Sequence, residues 1–172
     1  MFQFEIIGLQ KALNAIDKLI ARIADLTPAF IRIHDDFLRT EAELFATEGG
    51  SGADGGWDGW TPDYQDWRDM HHPDAPENIL ILEGGLVDSL TGGSGHVLRI
   101  TAQGAEMGTD LLTESGYGLG AVHFEGFTVP TPYGNKGAAS TRVPARKAID
   151  PTQEDIDRWM GIVAQHIWKA AV

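Results

Sequence analysis

Apolar residues recur at intervals of three or four along the first part of the chain. Five of them form a single stripe on an α-helix: Leu9, Leu13, Ile16, Ile20 and Ile23. This period predicts a long amphipathic first helix after a strand-like start at Phe2–Ile7. A second helix is predicted next, with Thr27 as its N-cap and Pro28 at its first position, where a missing amide proton costs nothing.

The same period returns at the end of the chain. There the apolar stripe consists of Ile156, Trp159, Met160, Val163 and Ile167. Thr152 is placed to cap this helix, and Asp155, three residues later, stands near the positive end of the helix dipole. The pattern therefore predicts a long C-terminal helix.

Between the helices the period changes from helical to alternating. His96–Thr101 alternates in the period-two manner of a half-buried strand. Gln103–Gly104 predicts a hairpin turn into a second strand at Ala105–Thr109, and Leu86–Leu90 is expected to form one or two helical turns. Strands in the middle and helices at the ends predict an α+β fold, in which long N-terminal and C-terminal helices pack on a central antiparallel sheet.

At 172 residues the chain is predicted to be a single domain, 1–172. Its expected parts are a helical N-terminal part (1–46), an extended acidic loop rich in Gly and Trp (47–78), a sheet region (79–126), a basic loop (127–151) and the C-terminal helix (152–172). No run approaches the roughly 18 apolar residues of a membrane span, so no membrane association is expected.

The net charge of −12 comes mainly from one part of the chain. Residues 41–98 carry twelve acids and a single base, Arg68, whereas residues 1–40 carry five of each. The basic loop holds four cations: Lys136, Arg142, Arg146 and Lys147. A nucleic-acid-binding surface needs clustered cations. Since only this loop offers any, general DNA binding is not predicted.

Motifs for catalysis or ligand binding are weak. The chain has no cysteine, which excludes disulfides, thiolate chemistry and zinc sites built on sulfur. The glycines of 49–59 lack the lysine of a phosphate-binding loop, and no second motif of metal-ligand spacing supports His71 and His72. His123 is expected to be a hydrogen-bonded, partly buried residue. We therefore predict no enzyme activity, cofactor or metal, with a histidine-dependent hydrolase, metal-assisted or not, as the alternative.

Residues 48–62 read EGGSGADGGWDGWTP and contain six glycines and two tryptophans. Ordering such a backbone costs about 1–2 kcal/mol per residue, whereas each indole can bury a large apolar area. We expect this stretch to be an assembly loop that orders when it docks on a partner. Trp57 and Trp60 would supply the apolar contact, and Asp54 and Asp58 the charge.

Six segments, taken in order, resemble one protein family. They are Phe45–Gly50, Trp57–Pro62, Ile79–Leu90, Met107–Asp110, Tyr117–Gly126 and Arg142–Arg146. Their order and spacing are similar to those of the virion-morphogenesis, or tail-completion, proteins of Mu-like phages, and the resemblance covers residues 40–170.

The resemblance implies a structural protein of the phage neck that completes the tail or joins it to the head. It further implies a ring of identical subunits, contacts with other neck and tail proteins, and a place in the virion after assembly in the host cytoplasm. DNA would pass through the ring without specific binding. The acidic segment would either line the channel, where it would repel phosphate, or lie on the outer rim.

A ring requires a head-to-tail contact between copies. The chain carries both an acidic segment and a basic loop, and complementary charge helps to set the register of such a contact. We therefore expect the four cations of the basic loop to face the acidic segment of a neighbouring subunit: Lys136, Arg142, Arg146 and Lys147. A monomeric protein-binding module is the remaining alternative.

Overall fold

The structure is a computed structural model that describes residues 8–81, 83–129 and 141–169; for residues 67, 129, 141 and 142 it describes the backbone alone. The elements in these ranges are α1 (Leu9–Ala24), α2 (Thr27–Ala46), α3 (Pro62–His71), α4 (Gly85–Leu90), β1 (His96–Thr101), β2 (Gly104–Thr109), α5 (Leu119–Glu125), β3 (Phe127–Val129), β4 (Thr141–Val143) and α6 (Gln153–Trp168). The predicted strand-like start at Phe2–Ile7 lies outside the described residues.

The α+β prediction is confirmed. β1 and β2 form an antiparallel hairpin in which His96 lies opposite Thr109 and Thr101 lies opposite Gly104. Both strands lie within one residue of the predicted bounds, but the two-residue turn is Ala102–Gln103 instead of the predicted Gln103–Gly104. β3 and β4 form a separate two-stranded antiparallel sheet. No helix in the described ranges is long and apolar enough to cross a membrane.

The helix α2 lies at the centre of the fold, where it contacts α4, α6 and the β1–β2 hairpin. The buried apolar core is a cluster of Phe37, Phe45, Leu86, Leu90 and Ala148. Full burial of a large apolar side chain stabilises the fold by about 1.5–3 kcal/mol. The core therefore joins α2 to α4 and to the segment that precedes α6.

Polar contacts hold α6 against α2. Asp36 is 7% exposed and accepts hydrogen bonds from Arg158 Nε at 2.6 Å and from Trp159 Nε1 at 2.9 Å. At the start of α6, Thr152 Oγ1 accepts from the Asp155 backbone N–H, and the Asp155 carboxylate accepts from the Thr152 N–H. The cap predicted for this helix is thus confirmed as a reciprocal capping box.

Some local expectations were wrong. Thr27 is the first residue of α2 and makes no side-chain cap; instead its N–H donates to Asp25 Oδ1 at 3.0 Å. The acidic stretch 47–78 is not extended throughout, because Pro62–His71 is helical. Pro62 and Asp63 favour a helix N-terminus there, but the helix is too polar to show an apolar period. The predicted sheet region also contains the short helix α5.

Candidate functional site

The Gly/Trp-rich segment, residues 48–62, folds back onto its own chain. Trp57 packs edge-on against Phe45 with ring centroids 5.3 Å apart. Its indole N–H donates to the carbonyl oxygen of Lys147 at 3.0 Å, and its backbone N–H donates to Glu48 O at 2.7 Å. In this single chain, Trp57 therefore links the core to the basic loop without a partner subunit.

The close packing of Trp57 accounts for one glycine of the Gly/Trp-rich segment, Gly49. Its φ is +84°, and a Cβ built on it would lie 2.6 Å from the Trp57 indole. A side chain at this position would meet both backbone strain and a steric clash. By contrast, Gly55 has φ +81° but nothing within 4 Å of such a Cβ. Gly49 is thus required by the close packing of Trp57, whereas Gly55 serves a turn.

Two of the predicted basic residues bind the same segment. Arg146 is 4% exposed and donates from Nε to Asp58 O and from Nη2 to Gly59 O, both at 2.9 Å. Burial lowers the pKa of Arg146. Its contacts with the segment go to backbone carbonyls, so a buried cation is held next to neutral acceptors.

Lys147 binds the carboxylate of Asp54 and approaches that of Asp150. Hydrogen bonding to Asp54 raises the pKa of Lys147. Asp150 Oδ2 also accepts from the Asp54 backbone N–H at 2.7 Å. The acidic and basic regions therefore meet within one chain.

The intersubunit role expected for the eight predicted interface residues stays a prediction. The structure gives Arg146, Lys147, Trp57, Asp54 and Asp58 contacts inside the chain. Lys136 lies outside the described residues, and Arg142 is described only as part of the strand β4.

Trp60 belongs to a different group of side chains, around α3. The guanidinium of Arg68 lies 4.1 Å from the centre of the Trp60 ring, a cation–π contact, and Tyr64 meets the same indole edge-on at 6.3 Å. Arg68 is 4% exposed, and its Nη2 donates to Ala75 O at 2.9 Å. Sequence reasoning missed Arg68, although it is the one base among the twelve acids of residues 41–98.

These residues line a cavity of about 370 Å³, which we call the arginine cavity. Arg68 and Arg146 line it together with Trp60, Tyr64 and His123, and the apolar side of the lining is Leu80, Ile81, Leu86, Leu119, Phe127 and Val143. Two polar atoms here, Arg68 Nε and His123 Nδ1, are buried without a hydrogen-bond partner among the described residues.

Among the described residues, His34, His96, His123 and Ser89 are not arranged as the triad that a hydrolase uses. Burial and the nearby Arg146 lower the pKa of His123, and no described carboxylate accepts a hydrogen bond from it. Ser89 is fully buried, and its hydroxyl is bonded to Leu86 O and Thr109 Oγ1. His34 Nε2 lies 2.9 Å from His96 Nε2. Among the described residues, no group of three or more His, Asp or Glu is arranged to hold a metal ion.

The predicted stripe of α1 forms, but it does not enter the core. No residue of α1 is buried, and the five residues of the stripe are 45–59% exposed: Leu9, Leu13, Ile16, Ile20 and Ile23. The helix is attached elsewhere, since Arg22 Nη1 donates to His166 O on α6 at 2.6 Å. The five residues therefore form a regular apolar stripe on the surface of the described part of the chain.

Comparison with known proteins adds no relative: no protein-family model, curated protein or solved structure matches this chain.

Proposed function

We propose that this chain is a structural subunit of a phage neck, which completes the tail or joins it to the head as a ring of identical copies. Two observations support the proposal. Six segments between residues 40 and 170 resemble, in their order and spacing, the tail-completion proteins of Mu-like phages. The α1 stripe presents an apolar surface that the other described residues leave about half exposed. The second observation carries the assembly part of the proposal.

The spacing of the α1 stripe suits contact with other copies of the same helix. Its residues are separated by four, three, four and three positions, which is the repeat of a coiled-coil seam. In that repeat Leu13 and Ile20 occupy the a positions, while Leu9, Ile16 and Ile23 occupy the d positions. Isoleucine at d, with leucine or isoleucine at a, favours three or four strands over two. More than two copies around one axis is the symmetry that a ring requires.

The local charge of α1 also favours this contact. The whole chain carries a net charge of −12, so copies of it repel one another. In α1, however, Lys11, Lys18 and Arg22 outnumber Asp17. This helix is therefore the part of the N-terminal region where approach of a second copy costs least.

The free energy gained by burying the α1 stripe is of the size expected for association that depends on protein concentration. Burying the exposed half of five Leu and Ile side chains contributes on the order of 5 kcal/mol per helix. Association itself costs about 4–15 kcal/mol. One pair of helices is thus marginal, and a helix that touches two neighbours in a bundle is better stabilised.

The biological part of the proposal is tested in a phage that encodes this chain. Removing the gene should leave heads and tails that do not join, visible as separate particles by electron microscopy, and supplying the chain from a plasmid should restore joined virions. Normal virions without the chain would exclude a role in the neck or in tail completion.

A further inference from the structure

The arginine cavity holds two buried cations, and among the described residues neither donates a hydrogen bond to a carboxylate, although the charge of Asp58 lies near Arg146. Arg146 gives two hydrogen bonds to backbone carbonyls, and Arg68 gives one to Ala75 O. Among the described residues, the carboxylate contact of Arg68 is to Asp69 at 3.9 Å, and that acid is 64% exposed. Buried charges in proteins are normally paired, so this pair of guanidinium groups needs an explanation.

Two polar atoms in the cavity, Arg68 Nε and His123 Nδ1, also lack partners among the described residues. Arg68 Nε is a donor in every protonation state, and His123 Nδ1 can donate when the ring carries its proton there. Both atoms are buried without a partner among the described residues. Buried polar atoms without partners are rare in folded proteins and often mark a binding or catalytic role. Here they lie in the lining of the same cavity.

The remaining lining selects the chemical class of the ligand. The cavity volume of about 370 Å³ falls in the range of small-ligand sites, ~300–1000 Å³. Leu80, Leu86 and Phe127 give it an apolar side, and the Trp60 indole gives it an aromatic face. A planar carboxylate matches the fork of a guanidinium, and an apolar group attached to it would meet the rest of the lining.

We propose that the arginine cavity binds a carboxylate attached to an apolar group, which accepts from Arg68 Nε and lies beside Arg146. The carboxylate could be that of a free organic acid or that of the last residue of a protein chain, because the recognised chemistry is the same. Glu83 also lines the cavity but is exposed, so solvent weakens its repulsion of a bound carboxylate without removing it. This inference is independent of the proposed neck function.

The direct test uses the full chain labelled with ¹⁵N and follows the Nε–H resonance of Arg68 while phenylacetate is added. We expect a saturable shift with a Kd of about 1 mM or tighter, an ordinary strength for a ligand of this size. Phenylacetamide, which has the same shape without the charge, should bind at least about tenfold more weakly. No saturable shift with phenylacetate, or equal binding of the amide, would overturn the proposal.

Two variants and a control locate the site. Arg68→Gln should weaken phenylacetate binding at least about tenfold, and Glu83→Gln, at an exposed position, should strengthen it. Arg99→Gln is the matched control, because Arg99 is 70% exposed on β1 and pairs with Glu106. If Arg68→Gln does not fold, two measurements still test the proposed site: the affinity of phenylacetate compared with that of phenylacetamide, and the affinity of Glu83→Gln for phenylacetate. Unchanged affinity in Glu83→Gln, or an equal loss in Arg99→Gln, would contradict this site.

Further ligands separate the sources of the carboxylate. A short peptide that ends in phenylalanine should bind more tightly than phenylacetate if the natural ligand is a chain terminus, and amidation of its carboxyl group should abolish that gain. Weaker binding of the peptide than of phenylacetate would assign the site to free acids. Tighter binding of inorganic phosphate than of either would show that the proposed ligand class is wrong.

Discussion

The indole N–H of Trp57 donates a 3.0 Å hydrogen bond to the carbonyl oxygen of Lys147, ninety residues later in the chain. This bond joins the Gly/Trp-rich segment to the basic loop. Around it, Lys147 binds Asp54, and Arg146 binds the carbonyl oxygens of Asp58 and Gly59. One pair of opposite charges, Lys147 and Asp54, thus already joins the two regions within the subunit.

Trp57→Phe keeps most of the ring packing but leaves the Lys147 carbonyl without its donor. We expect the free energy of unfolding to fall by about 1–3 kcal/mol, the cost of a part-buried acceptor left unpaired. Urea unfolding followed by circular dichroism measures the change. Trp168→Phe is the control, since Trp168 is 62% exposed and should change stability by less than about 0.5 kcal/mol. Equal effects of the two substitutions would show that the Trp57 bond contributes nothing.

Gly49→Ala and Gly55→Ala separate backbone strain from packing. Both glycines have positive φ, at +84° and +81°, but only the Cβ at position 49 would meet the Trp57 indole. We expect a loss of about 1 kcal/mol for Gly55→Ala from strain alone. For Gly49→Ala the loss should be larger by about 1–3 kcal/mol, because the indole must move. Equal losses in thermal unfolding would mean that Trp57 does not pack against Gly49 in solution.

The sequence predicted the elements that have a strong period of their own. The stripe of α1, the capping box of α6 and the alternation of β1 are local patterns, and each element formed where it was expected. α3 was missed because Pro62–His71 is mostly polar and has no apolar stripe of helical period, so that its turns are fixed by the terminal residues and by tertiary contacts such as that of Arg68 with Trp60.

The candidate site was harder to foresee than the elements. Composition showed that an acidic segment and a basic loop attract each other, but charge alone does not say whether the partner is in the same chain or in another. The arginine cavity joins residues that lie far apart in sequence, Arg68, His123 and Arg146. No local sequence pattern indicates that these three side chains lie together in the fold. Likewise, the period of α1 predicts a helix but not whether its stripe is covered.

Glu41 makes the stability of the fold depend on pH. It is 1% exposed, and burial, with Asp155 and Asp150 nearby, raises its pKa from 4.5 to about 8. Because the folded-state pKa is the higher one, the contribution of Glu41 to stability is fully present below about pH 4.5 and is lost as pH rises through about 8. Each unit of the shift corresponds to about 1.4 kcal/mol.

Glu41→Gln should remove this dependence, because an amide cannot ionise. We expect the variant to be more stable than the wild type at pH 9, by a few kcal/mol at most, and to lose less stability between pH 5 and pH 9. Urea unfolding at both pH values measures the effect. Glu43→Gln, at an exposed position of the same helix, should keep the wild-type slope. If the unfolding free energy of Glu41→Gln depends on pH as steeply as that of the wild type, ionisation of this buried carboxyl group is not the cause of the dependence.

The contact between His34 and His96 affects the stability of the fold at the acidic end of the pH range. Burial, followed by repulsion from His96, lowers the pKa of His34 below its ordinary 6.5. Its contribution to stability is therefore present above about pH 6.5 and is lost as pH falls through the lower folded-state pKa. His34→Gln should reduce the loss of stability between pH 7 and pH 5, because the amide does not titrate. If the exposed His71→Gln reduces it equally, the assignment to His34 is wrong.

The central claim is that the α1 stripe assembles copies of this chain. Light scattering on the purified full chain measures it most directly, over a range of micromolar concentrations. We predict a particle at least three times the 18.7 kDa mass of one chain. Ile16→Glu and Ile20→Glu together should return it to one chain, whereas Met70→Glu, at a single exposed apolar residue of α3, should leave the particle intact. A wild-type mass of one chain at every concentration, or an intact particle in the double variant, would contradict the claim.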